Sequence, residues 1–286
     1  MILVTGATGN VGGHLIRHLC EAGSPVRAMV RTQEKADTLR GYDCEIVLGS
    51  FEDSRSLHKA LVDVDAVFLL SPAGPRMAEQ ETAVLAELGH THGTPRVVKL
   101  AAAGVDNPAL QGRFLDQHRR VVERMRADGI RHTVLAPTSF MQNLVLNAAS
   151  IQETGTFFAP AGDAAISHVD VRDVADVAAH VLTTEGHDGR TYTVTGPEAL
   201  TYEQVAERLS ALLGREIRYV DVPPEKARAG MLESGLPEWL VDGLLELNVT
   251  YKAGAAAVVT DEVQKATGRP PRSIDDFLAD HRMVFL

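Results

Sequence analysis

The chain has 286 residues, 45% of them hydrophobic and 23% charged, enough for one large domain or a domain with an appendage and too apolar for wholesale disorder. A formal net charge of −10 opposes phosphate backbones, so nucleic acid is not an expected partner. Two cysteines, Cys20 and Cys44, form no disulfide framework or metal cluster and read as reduced, inert thiols.

No apolar run approaches the roughly 18 residues of a membrane span. Met1–Thr5 also enters a strand pattern directly, with no basic leader. The expected address is therefore the cytoplasm, with no membrane partner.

In chain order, short apolar runs alternate with amphipathic stretches, the pattern of a parallel sheet with crossover helices. Ile2–Thr5 is predicted as the first strand, followed by a glycine-rich turn and a helix over Val11–Ala22. Pro25–Val30 reads as the second strand, Lys35–Leu39 as a short helix, Glu45–Leu48 as the third strand and Ser54–Leu61 as a helix. Ala66–Leu70 is wholly apolar, as expected of a strand buried on both faces. Glu79–His90 is a predicted helix, Arg96–Ala101 the fifth strand, Phe114–Asp128 the next helix and His132–Ala136 the sixth strand.

After Pro137 the rhythm changes. Gly155–Phe158 and Pro160–Gly162 read as a turn-rich excursion, Val169–Thr183 as a helix and Thr191–Thr195 as one more strand. The remainder is mostly helical, over Tyr202–Leu213, Glu225–Ser234 and Pro237–Leu247, interrupted by a short strand at Ile217–Val220. Pro270–Leu286 reads as a loop and a final helix. The predicted fold class is α/β, a Rossmann-type doubly wound parallel sheet with helices on both faces and a smaller, discontinuous C-terminal lobe. Residues 1–142 and 164–196 are assigned to the nucleotide-binding domain, and 143–163 with 197–286 to the substrate-side lobe. A substrate is expected in the cleft between them.

The segment Thr5–Gly12, T-G-A-T-G-N-V-G, carries Gly6, Gly9 and Gly12 between a strand and a helix. In that context the spacing is a dinucleotide fingerprint: a tight turn, a close approach to pyrophosphate, and close packing of helix on strand. The helix N-terminus then offers free N–H groups and partial positive charge to the phosphates. The second strand ends in Arg31, with Thr32 and Lys35 beyond, where NAD-preferring sites place an acidic residue. A guanidinium suits a 2′-phosphate, so NADPH is expected rather than NADH; the alternative is a solvated surface arginine.

The stretches T-G-A-T-G-N-V-G, V-R-A-M-V-R and Gly49–Asp53 (G-S-F-E-D) resemble the NmrA-like group of atypical short-chain dehydrogenases. Leu135–Asn143 (L-A-P-T-S-F-M-Q-N) and His168–Val177 (H-V-D-V-R-D-V-A-D-V) agree with it. Gly235–Leu240 (G-L-P-E-W-L) and Thr267–Pro270 (T-G-R-P) look most like the NAD(P)H:quinone oxidoreductase type 2 branch. The resemblance implies that Gly6, Thr8, Gly9, Asn10, Val11 and Gly12 hold the pyrophosphate and that Arg31 meets the 2′-phosphate. It implies that Ser50 and Phe51 border the adenine, although the group usually has aspartate at position 50. Leu70, Ser71, Pro72, Ala101 and Ala102 would line the nicotinamide ribose, and Pro137, Thr138 and Phe140 would flank the nicotinamide.

Better-known short-chain dehydrogenases use a Ser and a Tyr-x-x-x-Lys pair. Here the fifth strand runs into alanines, Phe114 stands at the tyrosine position and His118 at the lysine position, eleven residues before Gly129. That spacing matches the lysine of isoflavone-reductase-like relatives. Hydride transfer to a quinone needs little acid catalysis, because the acceptor is already strongly electrophilic. His118 is the one candidate catalytic residue, as a proton donor with an imidazole titrating near neutrality; the alternative is contact with the cofactor ribose.

Other polar groups have plainer readings. His14 and His18 lie at i, i+4 with no third ligand evident, so no metal is expected. His90 and His92 read as solvated loop residues, Asp170 and Asp173 as caps, and Arg119, Arg120, Arg124 and Arg126 as a solvated helix face. Phe140, Phe157, Phe158, Met231 and Trp239 could line an apolar substrate pocket or form the lobe's own core.

The leading expectation is an NADPH-dependent oxidoreductase acting on a quinone or related aromatic small molecule. The alternative is a non-catalytic NADP(H)-binding redox sensor that reports to a protein partner. Reduction of an enone, an imine or a carbon–carbon bond stays open. A homodimer is the expected assembly, since twofold dimers are the commonest oligomers.

Overall fold

The computed structural model describes residues 1–91 and 93–286, so the reading of His92 lies outside the described residues. The strands are β1 (Ile2–Val4), β2 (Val26–Val30), β3 (Glu45–Leu48), β4 (Ala66–Leu69), β5 (Arg96–Leu100), β6 (His132–Pro137), β7 (Thr156–Ala159), β8 (Thr191–Val194) and β9 (Arg218–Asp221). The helices of the first half are α1 (Asn10–Glu21), α2 (Gln33–Asp37), α3 (Ser54–Leu61), α4 (Met77–Leu88) and α5 (Arg113–Ala127). A 3-10 turn at Met141–Asn147 leads into α6 (Ala148–Thr154). Then come α7 (Val171–Thr183), α8 (Tyr202–Leu213), α9 (Pro224–Glu233), α10 (Glu238–Lys252), α11 (Glu262–Thr267), α12 (Ile274–Asp280) and α13 (Arg282–Phe285).

Seven strands form one parallel sheet in the order β3-β2-β1-β4-β5-β6-β8. The order reverses between β1 and β4, which places a crevice beyond their carboxyl ends, where ligands of open α/β sheets bind. Both faces are covered, as the sequence predicts. On one, Leu15, Ile16 and Leu19 of α1 and Val174, Ala178 and Val181 of α7 pack on Val4, Ala28 and Val98. On the other, Leu57 of α3, Val84, Leu85 and Leu88 of α4 and Val121, Val122 and Met125 of α5 pack on Leu3, Val67 and Val97.

Two findings depart from the sequence reading. The excursion at Gly155–Phe158 contains a true strand: β7 pairs in parallel with β9, Phe157 opposite Tyr219 and Phe158 opposite Val220. Period-two alternation sends Phe157 inward, 1% exposed among Leu144, Val205, Leu209 and Phe277, and leaves Phe158 49% exposed. The tail also holds more helix than predicted. Ser273 caps α12 through a reciprocal pair with Asp276, and α11 returns Val263 to the sheet-side core.

Cys20 and Cys44 are free and half-buried, and burial pushes the Cys20 thiol up to about 11. Among the described residues no helix is long and apolar enough to cross a membrane.

His168 follows the excursion and is 3% exposed; neither ring nitrogen has a partner among the described residues, and burial lowers its pKa from 6.5 to about 4. In the unfolded chain the imidazole gains its proton near pH 6.5, whereas the folded chain resists until about pH 4. Stability is therefore unaffected above pH 6.5 and falls as the pH drops through that window, in total by about 3 kcal/mol. Urea unfolding at pH 7.5 and pH 5 should show His168→Leu losing about 2 kcal/mol less than the parent between those conditions. Equal losses would remove His168 from the acid limb.

Candidate active site

The predicted cofactor residues, His118 on α5 excepted, gather along one edge of the sheet because they lie at or just beyond the carboxyl ends of β1 to β6. After β1 the chain turns through Gly6 at φ +62°, and Gly9 N–H donates back to the Gly6 carbonyl at 3.0 Å. A Cβ on Gly6 would press on Leu70 at 3.1 Å, and one on Gly12 would stand 2.2 Å from the Gly6 carbonyl oxygen. The start of α1 is thus laid against the turn as closely as backbone allows. Thr5 locks the crossing from below, its hydroxyl donating to the carbonyls of Phe68 (3.0 Å) and Leu70 (2.9 Å).

Gly9 caps α1 with no side-chain hydrogen bond, and Gly9 and Asn10 are exposed while Thr8 is half-buried and Val11 buried. The first N–H groups of this twelve-residue helix therefore lack a side-chain acceptor and fit an anionic pyrophosphate. Arg31 follows β2, is exposed, and pairs with no carboxylate among the described residues. Lys35 is exposed nearby on α2, whose N-cap is Thr32. After β3, the Ser50 hydroxyl donates to the Glu52 carboxylate, and Phe51 is buried against the α3 side of the sheet.

Beyond β4, β5 and β6 lie the residues expected beside the ribose and the nicotinamide. Leu70 is half-buried, Ser71 buried and Pro72 exposed. Ala101 N–H donates to the Leu135 carbonyl at 2.7 Å, and Ala102 is half-buried beside it. Pro137 ends β6; the Thr138 hydroxyl donates to the Ser167 carbonyl; Phe140 bridges in parallel to Val169.

His118 lies on α5 at the same end. It is half-buried, its Nδ1 is enclosed without a partner among the described residues, and burial with the nearby Lys99 ammonium holds its pKa well below 6.5. The imidazole therefore does not titrate near neutrality. At pH 7 it is neutral and offers hydrogen bonds, not an acidic proton.

Of the five residues considered for an apolar pocket, Phe157 belongs to the core, Phe158 faces solvent, Phe140 packs towards the sheet, and Met231 is half-buried on α9. Trp239 lines an open cleft of about 670 Å³, between the start of α5 and α10. Its ring meets Phe114 edge-on at 5.3 Å and lies 5.7 Å from the Arg113 guanidinium. Gly243 makes this possible, since a Cβ there would stand 2.6 Å from the Phe114 ring. Glu246 reaches across from α10 to accept the first N–H of α5 at 2.8 Å and the Arg113 guanidinium at 2.7 Å.

The remaining polar candidates have local tasks. His14 contacts Arg17 at 2.9 Å and His18 contacts Asp176 at 2.7 Å. Asp170 caps α7, and Asp173 is buried beneath Arg269 and Arg272. Arg119 gathers loop carbonyls, Arg124 pairs with Asp128 and Arg126 with Asp106. Sequence reasoning passes over Lys99 and Glu81, which lie fully buried 2.8 Å apart behind Ser71; a lysine inside the apolar run V-V-K-L is the one signal that could have found them.

Known proteins resemble this chain over its whole length. An NAD(P)H azoreductase of Xenophilus azovorans is 37% identical over 287 residues, covering 100% of this chain and 99% of the relative. The solved structure of an NADPH-dependent quinone oxidoreductase from Escherichia coli, complexed with NADPH, matches with TM-score 0.90 at 26% identity over 99% of this chain and 100% of that one. Triphenylmethane reductase of Citrobacter sp., complexed with NADP(H), matches with TM-score 0.87 at 25% identity over 98% and 100% of the two chains. Residues 1–275 match the model of the NmrA-like family, and the chain belongs to that family.

Proposed function

We propose that this protein is an oxidoreductase that uses NADPH to reduce a quinone or related aromatic small molecule, and that it does so without a Ser-Tyr-Lys triad. The observation that carries the reading is the sheet's carboxyl edge, where a helix start without a side-chain cap, an exposed Arg31 and the ends of β4, β5 and β6 suit one dinucleotide. The chain is an NAD(P)H-dependent oxidoreductase by the company of its relatives, which are named for reduction of azo, quinone and triphenylmethane compounds.

NADPH, when bound, supplies the hydride. Gly6, Thr8, Gly9, Asn10, Val11 and Gly12 hold its pyrophosphate, Arg31 pairs with the 2′-phosphate, and Ser50 and Phe51 border the adenine. Leu70, Ser71, Pro72, Ala101 and Ala102 line the ribose, while Pro137, Thr138 and Phe140 fix the ring's position. His118 serves as a neutral hydrogen-bonding partner of the ribose rather than as an acid. Phe114 fills the position of a catalytic tyrosine with a ring packed on Trp239. The segments 143–163 and 197–286 form the substrate-side lobe, whose Trp239 lines a cleft against the start of α5.

Steady-state NADPH oxidation with simple benzoquinones and naphthoquinones tests the reading. The expected result is saturable turnover with at least one of them, faster with NADPH than with NADH. Tight NADPH binding without oxidation by any acceptor would move the protein to the class of redox sensors.

A further inference from the structure

Side chains alternate along β5: Val98 and Leu100 enter the core beneath α1 and α7, while Val97 and Ala101 enter the layer under α3, α4 and α5. Lys99 lies between Val97 and Ala101 and shares their face. In that layer Glu81 belongs to the buried stripe of α4 with Val84, Leu85 and Leu88. His118 stands one turn before Val122 and two before Met125 on the buried stripe of α5.

Lys99 and Glu81 are both 0% exposed. The Lys99 Nζ lies 2.8 Å from Glu81 Oε2, donates to Oε1 at 3.1 Å, and also donates to the Leu100 carbonyl. Glu81 Oε1 further accepts the Ser71 N–H at 3.0 Å and the Ser71 hydroxyl at 3.1 Å. One carboxylate oxygen therefore holds both the turn after β4 and the ammonium on β5.

Burying such a pair is costly, and apolar residues of similar volume often serve stability as well or better. Stability alone does not account for it at the edge where the cofactor is proposed to bind. We propose that the Lys99–Glu81 pair is a positioning device for that site, anchoring the turn after β4 through Ser71 and setting a cation behind His118. The importance of that turn rests on the proposed cofactor site; the pair's effect on His118 does not.

Several charges on the elements around His118 are engaged elsewhere. On α5, Asp116 pairs with Arg119, and Arg119 is held by the carbonyls of Gly104, Val105, Asn107 and Leu110. On α4, Glu79 pairs with Arg76. At the far end of β5, Arg96 donates to the carbonyls of Leu182 and Thr184, and on the lobe side Arg113 is taken by Glu246. Burial is the larger influence on the imidazole; the Lys99 ammonium, with Glu81 as its counter-ion, adds to it in the direction that keeps the ring neutral.

Two double variants separate the two halves of the proposal. Lys99→Met with Glu81→Gln removes both charges but leaves an amide oxygen for Ser71. Lys99→Met with Glu81→Leu removes the anchor as well. The His118 imidazole is titrated by NMR in the protein without nucleotide, and NADPH affinity is measured by fluorescence titration. In the first variant the His118 midpoint should rise measurably while NADPH affinity stays near the parent's. In the second the midpoint should rise likewise, and NADPH should bind roughly tenfold more weakly, because both Ser71 hydrogen bonds to the carboxylate are lost and part of that loss falls on the bound state. An unmoved His118 midpoint in the first, or unchanged affinity in the second, overturns the proposal. The titration needs no turnover, so it reads the same if the protein reduces no quinone.

Discussion

The Gly12→Ala variant is expected to bind NADPH roughly a hundredfold more weakly than the parent, the equivalent of about two charge-assisted hydrogen bonds. The cause is geometric. A Cβ at position 12 would stand 2.2 Å from the Gly6 carbonyl oxygen and 2.9 Å from its carbonyl carbon, and both belong to backbone rather than to a flexible side chain. Either α1 moves out or the turn after β1 moves down, and the turn is pinned by Thr5 and Leu70. Displacing α1 takes its first N–H groups away from the proposed pyrophosphate site.

Gly13→Ala is the matched control, because the nearest atom to its Cβ is 3.9 Å away. In a helix interior that change should leave binding intact and stabilise the helix by roughly 1 kcal/mol. Fluorescence titration on both variants, with circular dichroism to establish folding, checks the pair. A folded Gly12→Ala protein with parental affinity contradicts the account of the loop.

Arg31→Glu should reverse the cofactor preference. Removing the guanidinium and adding a carboxylate beside the 2′-phosphate should weaken NADPH by roughly a hundredfold while changing NADH little. Arg31→Ala should lie between, since Lys35 remains exposed nearby to share the phosphate's charge. The substitution leaves the Thr32 cap of α2 in place, so the fold should be unaffected. Dissociation constants for both nucleotides at one fixed ionic strength decide the matter, because added salt screens an exposed pair. Equal weakening of both nucleotides would mean that Arg31 acts on the turn and not on the phosphate.

Why these residues were legible from sequence is plain in the structure. Gly6, Gly9 and Gly12 act through local backbone, over a few residues between one strand and one helix, and Arg31 is simply the next residue after β2. Consecutive βα units repeat that advantage, so the parallel sheet and the edge it presents follow from short-range pattern. The strand β7 does not have it. Its partner β9 lies some sixty residues further on, and only that pairing shows that Phe157 faces inward.

The site's electrostatics were hidden for the same reason. His118 is found by its spacing from Gly129, but its protonation depends on enclosure and on Lys99, nineteen residues earlier on another element. Glu81 reads as an ordinary helix carboxylate until α4 is laid over β5. Trp239 takes its place in the cleft against Phe114, whose ring the notch at Gly243 admits. In each case the sequence supplies the residue, and a contact distant in the chain supplies its role.

The central claim is that hydride passes to an electrophilic aromatic acceptor with no acidic side chain in the rate-determining step. Anaerobic single turnover with a simple benzoquinone, comparing NADPH with NADPH deuterated at the transferred position and water with heavy water, tests it directly. The account predicts a clear primary isotope effect from the deuterated cofactor and a solvent isotope effect near one, as hydride moves without a protein proton in flight. A large solvent effect, abolished in His118→Ala, would contradict it and return His118 to the role of proton donor.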